Sequence, residues 1–314
     1  MSNLLKNNGV IGVLMGGMSS EREISFKSGH AIVNALTQGG YSVKPIEINF
    51  SDEERNLDSL KQSQIDFAFI ALHGRFGEDG GIQTILDRAG IPYTGSGVKA
   101  SALAFNKAEC QRLLKSKGIP VARHLIIKFS EAFDLEEIVS TLGLPIVVKP
   151  CCEGSSIGVH RVDRRDQLQL ALDQAFEYGP EIIIEQFISG REFTVGVLDK
   201  EALPVVEVIP KNDFFDFQSK YQKGLTAYMV PAQISTELAG RMQGLACLTH
   251  QAVGCEVFSR VDFRVDEKQN PFILEINTIP GFTDTSLFPK AAQHAGIGFK
   301  EVCSRLIELS YVKK

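Results

Sequence analysis

The sequence predicts an α/β fold in three units: a parallel sheet wrapped by helices, then two smaller α+β units. Three observations predict it. In the first third, short apolar runs alternate with segments of helical period, the pattern of parallel strands joined by crossovers. In the middle third the runs shorten and are punctuated by Gly and Pro. In the last third, strand-like segments follow one another before and after one long helical stretch. A chain of 314 residues with 44% hydrophobic and 23% charged residues has material for two or three globular domains.

Each element has its own warrant. Val10–Met15 is a buried strand closed by Gly16-Gly17, and Ser25–Leu36 has helical spacing and stops at Gly39-Gly40. Tyr41–Ile48 and Asp66–Leu72 are the next strands, the second broken by His73-Gly74, and a helix follows near Ile82–Arg88. In such a sheet ligands bind beyond the carboxyl ends of the strands, here residues 16–23 and 73–80. A single helix is expected from Val98 to Lys117, ended by Gly118-Ile119-Pro120. Strand-like Ala122–Ile127 leads to a helix through Leu142, then to a strand over 144–150 and a small polar loop over 153–158. A helix near Gln167–Tyr178 and a strand over Glu181–Phe187 complete the middle unit. Strands over Glu192–Leu198 and Ala202–Ile209 open the last third. Lys211–Ala227 has no period and is long for a loop, which suggests a functional or a disordered segment. A helix over Glu237–Val253, strands over Val257–Val265 and Pro271–Ile276, and two amphipathic segments close the chain.

Composition excludes several classes. There are 33 Lys+Arg against 38 Asp+Glu, a net charge of -5, and no dense basic run, so no nucleic-acid partner is expected. Lys6, Asn7 and Asn8 interrupt the first leucines, so no signal-peptide core is expected. No apolar run approaches the roughly 20 residues of a membrane helix, so no membrane partner is expected. The 6 cysteines lack C-x-x-C spacing, which predicts reduced thiols and a cytoplasmic location. On that default, adjacent Cys151 and Cys152 are small loop residues.

Three constellations carry chemistry. The loop at Glu153–Gly158 could turn backbone N–H groups toward an anion, with Lys149 beside it as a point charge; by itself it reads equally well as a solvent turn. Asp262 lies on one strand, and Glu275 and Asn277, two apart, share a face of the next. Two carboxylates and an amide oxygen suit Mg²⁺, and Arg260 alternates onto the same face. The alternative is a solvated polar face, but Glu275 lies within Phe272-Ile273-Leu274-Glu275-Ile276, where an unpaired carboxylate would be costly. Third, Glu21-Arg22-Glu23 follows the first strand, where a carboxylate could hold an amine or match a helix N-terminus. His73 sits at the other strand end, beside the same cleft.

Together these segments resemble the D-alanine–D-alanine ligases of the ATP-grasp superfamily. The matching stretches run in family order over nearly the whole chain: Gly16–Ser25, Ala71–Gly80, Pro92–Lys107, Val147–Val159, Glu192–Leu198, Lys220–Tyr228, Arg260–Asp266 and Leu274–Pro289. The resemblance implies an ATP-grasp fold with an N-terminal parallel-sheet domain (1–101), a small central domain (102–189) and a C-terminal catalytic domain (190–314). It implies ATP with two Mg²⁺ (or Mn²⁺), D-alanine as substrate, and a homodimer. Lys107, Lys149 and Lys220 match phosphate-contacting lysines, and Ser155 and Ser156 lie in the phosphate loop. Glu185 and Glu192 match positions near adenine and ribose, and Asp262, Glu275 and Asn277 match the metal ligands. Glu21 matches the residue that binds the amino group of the first D-alanine, and His73 one near that substrate's carboxylate. Arg260 and the Gly281 N–H match the oxyanion stabiliser, and Ser286 and Leu287 match contacts to the second D-alanine carboxylate. Tyr221 matches a tyrosine linked by hydrogen bonds to Glu21 and Ser155. Cys151-Cys152 stands where familiar members have a polar residue and an arginine, Asn106 where an acid is frequent, and Ile279 where a small polar residue is common.

The implied reaction is ATP-dependent ligation through an acyl phosphate, feeding peptidoglycan precursor synthesis. The segment 211–227 is expected to close over the site and shield that intermediate. The nearest alternative is a D-alanine–D-lactate ligase. A nucleotide-binding regulatory protein without catalysis is the alternative of a different class, and the intact oxyanion group argues against it.

Overall fold

The structure, a computed structural model, describes residues 9–50, 52–210 and 226–312, which form three sheets. Strands β1 (Val10–Gly16), β2 (Ser42–Ile48) and β3 (Phe67–Ile70) form a parallel sheet in the order β2-β1-β3. Parallel strands need both faces covered. Helix α1 (Arg22–Gln38) buries Ile32, Ala35 and Leu36 against Ile11, Val13 and Phe69 on one face. On the other face, α2 (Glu53–Gln62) and α3 (Gly81–Ala89) pack Leu57, Leu60, Ile82 and Leu86 against Leu14, Ile46 and Ile70. The sequence reading did not foresee α2. It buries only Asn56, Leu57 and Leu60, too few to show an apolar stripe, and its Asp52 cap accepts from the Arg55 N–H at 3.0 Å.

The helix expected over 98–117 is two helices, α4 (Val98–Phe105) and α5 (Lys107–Ser116). Asn106 between them is extended, and its Oδ1 accepts from the Glu109 N–H at 3.2 Å as an N-cap. The apolar spacing runs through the break, so the cap residue was its only sequence sign. The break makes Lys107 the first residue of a new helix, and its N–H donates to the Cys151 carbonyl at 2.9 Å.

The second sheet is antiparallel, in the order β4-β7-β5-β6, with β4 at His124–Lys128, β5 at Ile146–Pro150, β6 at His160–Val162 and β7 at Glu181–Gln186. Helices α6 (Leu135–Leu142) and α7 (Leu168–Phe176) cover one face. Strand β6, unforeseen, is too short to show a period. The third sheet has the order β11-β10-β8-β12-β13, with β9 (Glu201–Ala202) beside β8. Its strands are β8 (Gly190–Leu198), β10 (Val206–Pro210), β11 (Thr226–Met229), β12 (Phe258–Asp266) and β13 (Pro271–Asn277). Helix α8 (Thr236–Val253) packs Leu238, Met242 and Ala246 on Phe193, Val195 and Phe263. Helix α9 (Leu287–His294) follows, and α10 (Phe299–Val312) returns to the first sheet, where Val302 and Leu306 join the core of Ile32 and Phe67. Among the described residues no helix is long and apolar enough to cross a membrane.

Candidate active site

Strand β12 alternates strictly: Val261, Phe263 and Val265 are core, while Arg260, Asp262 and Arg264 are half-buried on the opposite face. Its partner β13 does not. A bulge between Asp262 and Phe263 pairs Ile273 with Phe263 but Glu275 with Asp262. Without it Glu275 would share the core face with Ile273, which is 0% exposed. The bulge turns Glu275 and Asn277 outward instead, opposite Asp262 and Arg260.

On this face every acid has a donor. Arg260 donates from Nε and Nη2 to the two Asp262 oxygens at 2.8 and 2.7 Å, and the Thr194 hydroxyl donates to Asp262 Oδ1 at 2.5 Å. The Lys107 ammonium lies 3.5 Å from Glu275, and Asn277 Oδ1 accepts from the Ile279 N–H at 2.9 Å. Burial works against the charge of Arg260, but Asp262 and then Glu275 outweigh it and raise its pKa. Burial opposes the Lys107 charge in the same way, and Glu275 outweighs it. Among the described residues no three His, Cys, Asp or Glu side chains group closely enough to hold a metal ion. Two carboxylates and an amide on paired strands still fit Mg²⁺, which keeps waters and takes phosphate oxygens.

In the second sheet, Lys149 on β5 and Glu185 on β7 form a buried ion pair at 2.8 Å. Glu185 also accepts from Gln111 Nε2 at 3.1 Å, and the same amide donates to the Leu274 carbonyl at 3.1 Å. Gln111 thereby ties the second sheet to the third. Ser155 and Ser156, in the loop after β5, have φ of 52° and 60°. Such conformations are uncommon for residues with a Cβ and cluster at ligand-binding turns. Lys107 Nζ donates to the Glu153 carbonyl in this loop at 2.5 Å.

The first sheet contributes loops. Glu21, 8% exposed, accepts from the Ser155 hydroxyl. Its carboxylate is cradled by backbone, since a Cβ on Gly154 or Gly74 would come within 2.8 or 2.9 Å of Glu21 Oε2. His73 is held by Ser28 Oγ at 3.1 Å on Nε2 and Glu78 at 3.3 Å on Nδ1. Burial raises the Glu78 pKa; its bond to His73 opposes this and the charge of Glu21 adds to it. Arg75 crosses to the second unit, donating to Glu153 Oε1 and the Tyr178 carbonyl, both at 3.0 Å.

These groups surround one cavity of about 700 Å³. Glu21, His73, Lys107, Lys149, Ser155 and Ser156 line it from the first two units and from α5. Glu185, Glu192, Arg260, Asp262, Glu275 and Asn277 line it from strands, and Gly281, Ser286 and Leu287 from the turn into α9. Lys220, Tyr221 and most of the aperiodic segment lie outside the described residues. Sequence reasoning missed Arg264, which faces Glu192 across the strands at 3.4 Å and lies 5.1 Å over the Phe187 ring. Alternation with Arg260 and Asp262 could have found it. It also missed Gln111, Arg75 and Glu78; Arg75 and Glu78, in the segment with His73, had a local signal, and Gln111 had none.

The D-ala D-ala ligase N-terminus family matches residues 48–96, and the D-ala D-ala ligase C-terminus family matches residues 113–308. The chain is 43% identical over 309 residues to a D-alanine–D-alanine ligase of Pelotomaculum thermopropionicum, covering 96% of each. The structure of a D-alanine–D-alanine ligase from Bacillus anthracis complexed with ATP is similar, with a TM-score of 0.85 and 33% identity, covering 97% of this chain and 98% of that one. A D-Ala:D-Ser ligase from Enterococcus faecalis also matches, with a TM-score of 0.83 and 30% identity, covering 97% of this chain and 100% of that one.

Proposed function

The chain belongs to the D-alanine–D-alanine ligase family and has the ATP-grasp fold, and from that premise we propose that it joins two D-alanine molecules into D-alanyl-D-alanine, with ATP converted to ADP and phosphate. The product supplies peptidoglycan precursor synthesis. One observation carries this reading beyond family membership. The carboxylate-and-arginine face of β12–β13, the phosphate-loop lysines and Glu21 come from three separate units and meet around one cavity. A ligase that must hold nucleotide and two amino acids together needs that convergence.

A carboxylate is a poor electrophile, so the amide bond requires activation. In the proposed sequence the first D-alanine carboxylate takes the γ-phosphoryl group, and the second D-alanine amine then displaces phosphate from the acyl carbon. Glu21 holds the first ammonium, and His73 sits near its carboxylate. Lys107, Lys149 and Lys220 hold phosphate oxygens, with Ser155 and Ser156 presenting the loop. Glu185 and Glu192 lie toward adenine and ribose. Arg260 and the Gly281 N–H stabilise the tetrahedral oxyanion. Ser286 and Leu287 hold the second carboxylate, and Tyr221 orders the covering segment. Asp262, Glu275 and Asn277 would hold two Mg²⁺ (or Mn²⁺), which neutralise charge on the transferring phosphoryl group.

The units 1–101, 102–189 and 190–314 divide these tasks into first-substrate, nucleotide and metal-oxyanion roles. The resemblance supports a cytoplasmic homodimer, which light scattering of the purified chain tests. The catalytic test is phosphate and dipeptide formation from ATP, Mg²⁺ and D-alanine. L-alanine should not substitute, and D-lactate should give little depsipeptide. Equal turnover of both alanine enantiomers would overturn the assignment.

A further inference from the structure

The cavity's cations fall into two groups. Lys107, Lys149, Arg260 and Arg264 each have a protein carboxylate within ion-pair distance. Lys290, which lines the same cavity, has none among the described residues. Its ammonium lies 4.8 Å over the Tyr228 ring, a contact that holds the side chain while leaving its charge unneutralised. Lys290 stands one turn into α9, and its N–H donates to the Ser286 carbonyl at 3.0 Å. Ser286 also lines the cavity, and its hydroxyl is fixed by the Thr283 N–H at 3.0 Å. A half-buried cation beside a fixed hydroxyl at a helix N-terminus has no protein anion among the described residues, and the ligands of this region supply one.

We propose that Lys290 is a specificity-determining residue that binds the α-carboxylate of the acceptor amino acid, so that acceptors lacking that carboxylate are disfavoured. The inference rests on the ligase reading above. It adds a charge that selects the acceptor by its carboxylate, whereas Ser286 and Leu287 are neutral contacts. Lys27, the other lining cation without an ion-pair partner among the described residues, is exposed on α1 and contributes less.

The test is a competition between acceptors. Wild type, Lys290→Met and Lys290→Arg are supplied with ATP, Mg²⁺, D-alanine and D-alaninamide, and the two products are separated and quantified. Methionine keeps the length of the chain and removes the charge; arginine restores charge and ring contact. Lys290→Met should raise the acceptor KM by roughly tenfold to a hundredfold, the range for a hydrogen bond to a charged group. It should narrow the preference for D-alanine over D-alaninamide by a similar factor, with ATP half-saturation and melting temperature unchanged. Lys290→Arg should recover most of the preference. A purely structural lysine would move the melting temperature or both products alike, and that result overturns the inference. So does an active wild type whose Lys290→Met variant keeps the full preference. A wild type that makes no dipeptide from D-alanine overturns the ligase reading itself, and this inference with it.

Discussion

The two ends of the cavity are built differently. At the nucleotide end the charged side chains stand on strands, and among the described residues their cations already have an acid: Lys149 with Glu185 on the neighbouring strand, Arg264 with Glu192 directly opposite, Arg260 with Asp262 two residues along the same strand. At the amino-acid end the groups come from loops: Glu21 after β1, His73 after β3, Ser286 before α9. There the backbone shapes the site, with Gly74 at φ 71° and Gly154 leaving no room for a Cβ beside Glu21. The strand-borne end is preorganised by pairing, whereas the loop-borne end is preorganised by close backbone approach. Changes of charge should therefore hurt most at the first end and changes of volume at the second.

The largest effect tests the charged end. Glu275→Gln retains the volume and removes the charge that balances Lys107, 3.5 Å away. Turnover should fall by at least about 10²-fold, the scale of losing a major electrostatic stabiliser. Steady-state kinetics over a Mg²⁺ series measures it, and near-normal turnover at saturating Mg²⁺ would remove Glu275 from the metal site. At the loop end the comparable change is Gly154→Ala. The added Cβ would meet Glu21 Oε2 at 2.8 Å, so the carboxylate must move. D-Alanine half-saturation at the first site should rise about tenfold, for a strain of roughly 1–3 kcal/mol, while ATP half-saturation changes little. An effect on ATP alone would blur the division between the two ends.

The same division sets what the sequence could reveal. Period-two alternation on β12 identified Arg260 and Asp262, because a strand's faces are a local property. On β13 the two-residue spacing puts Glu275 and Asn277 on one face, but only the bulge turns that face toward Asp262 and Arg260. The bulge depends on which residue β12 opposes, and one strand alone does not encode that. Glu21 and His73 were legible as residues just beyond two strand ends, without the contacts that hold them. Their partners Ser155, Ser28 and Glu78 meet them through tertiary contacts, two of them across long sequence separations. Polar α2 and the Asn106 break escaped because neither disturbs the apolar spacing that identifies helices.

A pH experiment sharpens the contrast at the loop end. Burial, with the charge of Glu21 adding, raises Glu78 above the ordinary carboxylate range, although its bond to His73 pulls the other way. A raised acid binds its proton more tightly folded than unfolded, so its contribution is fully present below the unfolded pKa. It is lost as pH rises through the folded value. Glu78→Gln cannot titrate. Its melting temperature should therefore fall less than that of wild type as pH rises from the carboxylate range toward neutrality. Parallel curves would mean that the charge of Glu78 is fully compensated by its surroundings.

The smallest effect concerns the join between the ends. Arg75 belongs to the loop that carries His73, while Glu153 belongs to the loop whose carbonyl receives Lys107. Their ion pair, with the Arg75 contact to the Tyr178 carbonyl, is a direct bridge from the substrate loop to the phosphate loop. Arg75 is 55% exposed, so solvent screening limits the pair to about 0.2–1 kcal/mol, or at most about fivefold in a binding constant. Arg75→Met should raise half-saturation for ATP and for the first D-alanine together, because the bridge favours the arrangement both require. Glu153→Gln should do the same, and the double variant should be no worse than either single one. The single-variant effects should also shrink at high salt, as an exposed pair requires. Additive penalties, or a change confined to one ligand, would show that the two ends close independently and that the bridge is only a surface contact.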